Sequence, residues 1–125
     1  MPNTRMYDAG QSRHKHHWNQ SEAGFLPDGS AFVGKCPNTM DVKLAQKLLD
    51  EGIAYPDDEN PIRIYNVHEG VIYQSVCSGN RCHGYPWRRL PGRDEIPASV
   101  LQILECRAME QGNHDRFKKW LRQYG

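Results

Sequence analysis

The sequence predicts an α+β protein: a three- to five-stranded antiparallel sheet, with a meander over residues 62–85 at its centre, packed against about three helices. Three observations predict it. Residues 62–67 and 71–77 are rich in β-branched and aromatic side chains. Between them Glu69-Gly70 supplies the free φ that a two-residue hairpin turn demands. Apolar residues also recur at helical spacing in three other stretches, around 42–49, 100–108 and 117–124.

Residues 1–22 are polar, hold Arg13-His14-Lys15-His16-His17 in their middle and show no sustained apolar period, so they are expected to form a flexible N-terminal arm. Residues 23–125 are expected to make a single α+β domain. Gly24-Phe25-Leu26 and Ala31-Phe32-Val33 flank Pro27-Asp28-Gly29-Ser30, where proline presets φ and glycine accepts the left-handed region, so a small hairpin or an added edge strand follows.

Asn38 and Thr39 offer an N-cap for a first helix, with Asp41 in its first turn and Val42, Ala45, Leu48 and Leu49 as its stripe. Gly52 followed by Ile53 reads as a left-handed C-cap with its hydrophobic contact, and the loop after it carries Asp57-Asp58-Glu59 between two prolines, a solvated charge run.

The two-residue turn fixes the register of the meander. Val67 falls opposite Ile72, Tyr65 opposite Gln74, Ile64 opposite Ser75 and Ile62 opposite Cys77. A turn at 78–81 then sets Cys82 opposite Cys77 and starts a third strand, ended by Pro86, which has no donor for the ladder. His83 and Tyr85 share a face with Tyr65, Val67, Ile72 and Val76; both faces carry apolar groups, and the helices are most simply placed on one of them.

Pro97 suits the first turn of a second helix, with Val100, Leu101, Leu104 and Ala108 as its buried stripe. Gly112 stops it and Asn113 caps a third helix, whose Phe117, Trp120, Leu121 and Tyr124 recur at i, i+3, i+4 and i+7. That wide stripe is expected to pack on the core, or else to dock a partner or a second copy of the chain.

The chain has 125 residues, a net charge of +1 and 38% hydrophobic content, with a mean hydropathy of -0.81. This disfavours a binder that works by charge over its whole surface. No apolar run reaches the roughly 18 residues that span a bilayer, and the first residues lack a hydrophobic signal segment. A soluble, cytoplasmic protein without membrane contact is expected, with Cys36, Cys77, Cys82 and Cys106 as thiols.

Chemistry concentrates in Arg81, His83, Tyr85, Trp87, Arg88, Arg89 and Arg93, where arginines alternate with aromatics and no carboxylate precedes Asp94. Guanidinium groups bind phosphate or carboxylate in a fixed fork, and rings stack on bases or anchor in pockets. The plain alternative is that Tyr85 and Trp87 are core and the arginines a solvated rim. Arg116, Lys118, Lys119 and Arg122 form a second basic face on the last helix.

His83 with Arg88 or Arg89 has the residue types of a metal-independent ribonuclease, a group titrating near neutrality beside a phosphate clamp. His68 falls on the opposite face in this register, and His114 is the other available partner. Cys36, Cys77, Cys82 and His83 supply zinc-binding types, but Cys-x4-Cys is not the common spacing, so no metal and no cofactor are expected. The reading that follows is a small binding module whose 81–93 surface meets an anionic partner, nucleic acid or acidic protein. The alternatives are a small ribonuclease using His83, and an oligomeric interaction domain or inhibitor that pairs through the C-terminal helix.

Overall fold

The computed structural model describes residues 6–7, 19–28, 31–55, 62–78, 81–89 and 95–125. In chain order these form β1 (Met6–Tyr7), β2 (Gly24–Asp28), β3 (Ala31–Lys35), α1 (Val42–Asp50), β4 (Ile53–Tyr55), β5 (Ile62–His68), β6 (Val71–Ser78), β7 (Arg81–Pro86), α2 (Ala98–Glu110) and α3 (His114–Tyr124). The protein is therefore α+β. Its main sheet has the order β1-β7-β6-β5-β4, and β2 and β3 make a separate antiparallel hairpin.

The meander holds the register expected from its turn: Val67 pairs with Ile72, Tyr65 with Gln74, Ile64 with Ser75 and Ile62 with Cys77. Glu69 and Gly70 both adopt positive φ, at 52° and 82°. That conformation matches the twist of the two strands it joins. Cys77 then pairs with Cys82, and β7 continues through Pro86, which pairs with Tyr73. Among the described residues β1 pairs only with Arg81 and Cys82, and the proline falls at the far end of β7.

Three expectations about the sheet are corrected. The sheet is mixed rather than antiparallel, because Met6–Tyr7 lies parallel to β7. The Tyr7 backbone N–H donates to Gln46 Oε1 at 2.8 Å, which ties this two-residue strand to α1. Residues 53–55 form β4 against β5 instead of a cap and loop. Gly52 is not left-handed, since among the described residues positive φ occurs at Glu69, Gly70 and Gly112. It is a glycine for space, because a Cβ there would collide with the Ile64 methyl.

The third correction concerns the helices, which cover both faces of the sheet. On one face Tyr65, Val67 and Ile72 join Trp87, Val100, Leu104, Ala108, Phe117 and Trp120 in the main core. On the other, Leu49 of α1 packs on Ile64, Cys77 and Cys82, beside Cys36, Met40 and Tyr73. Both strand faces carry apolar side chains, and each buried one contributes about 1.5–3 kcal/mol, so neither face is left to water.

The helix ends also differ in detail. Asp41, not Asn38 or Thr39, caps α1, its carboxylate accepting from the Leu44 N–H at 2.7 Å. Pro97 stands at the N-cap of α2. Asn113 precedes α3 without a side-chain cap bond. Among the described residues no helix is long and apolar enough to cross a membrane.

Candidate functional site

The seven residues of the 81–93 window part company. Trp87 is only 4% exposed. Its N–H donates to the Ile72 carbonyl at 2.8 Å, and its own carbonyl accepts from Trp120 Nε1 at 3.0 Å. The indole expected to anchor a partner is instead core, because the chain keeps its course along β6 for one residue past Pro86. Arg89 is exposed and pairs with Glu95 at 2.8 Å, a surface ion pair that contributes little. Arg81 lies exposed at the start of β7, and Arg93 lies outside the described residues.

His83 and Tyr85 are both half-buried and pair with Val76 and Gln74. By the alternation of the strands His68 falls on the other face. His114 contacts Glu105, Nε2 to Oε2 at 2.8 Å, and does not converge on His83. Among the described residues no pair of histidines therefore shares a site.

Cys77 and Cys82 form a disulfide across β6 and β7, with 4.0 Å between their Cα atoms. This corrects the expectation of four thiols. The pairing register puts the two side chains side by side on one face, which is where a bridge closes. Neither sulfur is then a thiolate ligand. Cys36 is buried in a separate cluster, where desolvation pushes its thiol up from 9.0 to about 12, and Cys106 is exposed on α2. Among the described residues no three His, Cys, Asp or Glu groups are placed to share a metal. His14, His16, His17 and the Asp57-Asp58-Glu59 run lie outside the described residues.

What the fold does bring together is Arg88 and Tyr85, with residues that sequence reasoning did not connect to them. The β2–β3 hairpin lies against the end of β7 and the last turns of α3, with the Phe25 ring 4.8 Å from Tyr124 and 5.8 Å from Trp120. Arg88 runs under this hairpin. Its guanidinium carbon sits 3.8 Å from the Phe32 centroid, 5.0 Å from Phe25 and 5.3 Å from Tyr124. The ring faces attract the cation.

A cleft of about 60 Å³ opens beside it, lined by Phe25, Phe32, Gly34, Gln74, Tyr85, Pro86 and Arg88. Two of its lining residues each have a buried nitrogen without a hydrogen-bond partner, Gln74 Nε2 and Arg88 Nε. No carboxylate among the described residues pairs with Arg88. The one hint in the sequence was Gln74, an amide at a core-facing position between Tyr65 and Tyr85 on a central strand.

Two wider grooves lie elsewhere. One, of about 530 Å³, runs between α1 and α2 past Asn66 and Arg107. Arg107 there already donates to the Glu51 carbonyl and to Asn66 Oδ1, at 2.6 and 3.1 Å. The other, of about 370 Å³, mixes His68, Arg116 and Lys119 with Glu22 and Glu69. No protein-family model, curated protein or solved structure matches this chain.

Proposed function

We propose that this protein is a binding module for an anionic partner, nucleic acid or acidic protein, with Arg88 at the centre of the contact rather than the whole 81–93 window. The observation that carries the reading is an arginine set among three rings, with a buried donor and no paired carboxylate among the described residues. Stacking occupies the faces of a guanidinium and leaves its in-plane N–H groups for an acceptor. Such an arginine is already ordered, so a partner loses less on binding it. The ribonuclease alternative lacks support from the described histidines: His68 and His83 lie on opposite faces of the sheet, and His114 contacts Glu105.

A binding panel tests this. The protein is presented with single-stranded RNA, duplex DNA and a poly-glutamate peptide at low and high salt, and then Arg88→Met is compared with Arg122→Met. Methionine keeps an apolar stem against the rings and removes the donors. The expected result is one preferred polyanion whose affinity falls about tenfold or more in Arg88→Met, the cost of one charge-assisted contact, and changes little in Arg122→Met. Equal affinities in the two variants, with native near-ultraviolet circular dichroism, refute the role given to Arg88.

A further inference from the structure

We infer that the group received by the cleft is a carboxylate, bound between Gln74 and Arg88. This rests on the reading of the cleft as an anion site and names the anion. Gln74 is 2% exposed on a central strand, and its Nε2 has no acceptor. Arg88 lines the same cleft, and its buried Nε lacks one too. A buried donor without an acceptor destabilises the fold, so two on residues that line one small cleft are a standing cost that an arriving acceptor relieves.

The chemistry of that acceptor follows from number, charge and room. Two N–H groups suit a group with two oxygens. One of them belongs to a permanent cation, which favours an anion over an amide or a ketone. The space, about 60 Å³, exceeds the roughly 10–15 Å³ that one water requires. It is far from accommodating a nucleotide, and an internal phosphodiester would have to bring a sugar in on each side. A carboxylate ends its chain and can enter head first. A phosphate monoester also ends its chain, but brings three oxygens to two donors. The phenyl rings of Phe25 and Phe32 and the Tyr85 side chain then wall a planar group.

The test reads the two side chains directly by nitrogen–proton NMR of the intact protein, following the Arg88 Nε–Hε and Gln74 amide resonances. Sodium acetate is titrated against sodium chloride at equal ionic strength, against acetamide, which has the same shape without the charge, and against sodium phosphate. The expected result is a saturating shift of both resonances with acetate alone, with the remaining Arg88 signal no longer shifting in Gln74→Leu and the remaining Gln74 signal no longer shifting in Arg88→Met. No saturating shift with acetate, or saturation by phosphate at lower concentration, overturns the inference; the titration of the unsubstituted protein decides this even if a variant fails to fold.

A second arm compares a peptide with a free C-terminus, its amidated twin and a peptide with an internal glutamate. Preference for the free end over acetate assigns a protein tail, preference for the internal residue assigns an acidic side chain, and parity with acetate assigns a small free acid. All three support a carboxylate. If acetate has no effect while the polyanion panel still depends on Arg88, the carboxylate assignment alone falls; if the panel fails as well, so does the anion site.

Discussion

Gly70 and Gly112 allow a clean separation of backbone strain from crowding. Both adopt left-handed backbone, with φ of 82° and 78°, which costs an L-residue about 1–2 kcal/mol. A Cβ at Gly112 meets nothing within 4 Å. A Cβ at Gly70 would lie 2.5 Å from the Arg116 Cβ, 2.9 Å from the Phe117 nitrogen and 3.0 Å from the Arg116 carbonyl carbon. Two of those atoms are helix backbone and cannot swing aside. The hairpin turn would have to lift off α3, at an overpacking cost of about 1–3 kcal/mol. Gly112→Ala is therefore expected to lose about 1–2 kcal/mol and Gly70→Ala about 2–5 kcal/mol. Urea unfolding followed by tryptophan fluorescence measures both, with an unchanged m-value as the check that stability alone has moved. Equal losses in the two variants would show that the turn does not press on α3.

Three further outcomes follow from the core and the cysteines. Trp120→Phe keeps most of the apolar contact but removes the indole N–H that donates to the Trp87 carbonyl, so a loss of about 1–3 kcal/mol is expected in the same urea assay. Reducing Cys77–Cys82 opens a link between residues five apart; in the chain-entropy picture so short a loop is worth about 2 kcal/mol, read as the difference in midpoint with and without dithiothreitol. Burial raises Cys36 from 9.0 to about 12 and also raises Tyr73, through burial first and then the charges of Cys36 and Glu69, against a lowering by Arg116. In the window from about 9 to about 12 the unfolded chain has released the Cys36 proton and the folded chain has kept it, so stability is intact below 9 and falls as pH climbs. Cys36→Ala should flatten that fall, and a slope unchanged by the substitution would remove Cys36 as its cause.

Where local chemistry decides structure, the sequence was legible. Glu69-Gly70 set the turn, the turn set the register, and three apolar stripes marked three helices. What escaped depends on contacts between distant segments. Met6 and Tyr7 are too few to show a period, and their place on β7 is supported by Gln46, 39 positions away from Tyr7. Gly52 suggested a cap by its type, whereas its role is to let the chain pass the Ile64 methyl. The arginine and aromatic window was conspicuous, but composition could not say that Trp87 turns inward while Arg88 lies under Phe25 and Phe32. Gln74 was in plain view as the partner of Tyr65. Its meaning came only when the hairpin was seen to wall the space in front of it.

The cleft owes its walls to stretches of chain that are far apart: Phe25 and Phe32 from the hairpin, Gln74 and Tyr85 from the sheet, Arg88 just beyond it, and Tyr124 from the last helix beside them. No excised fragment carries that arrangement. Occupancy there would brace hairpin, sheet and terminal helix at once, so any molecule that fits should raise the melting temperature, by an amount that grows with the logarithm of its concentration over Kd. A thermal-shift survey of small acids is thus a search for the natural companion of this chain that requires no prior guess at its identity.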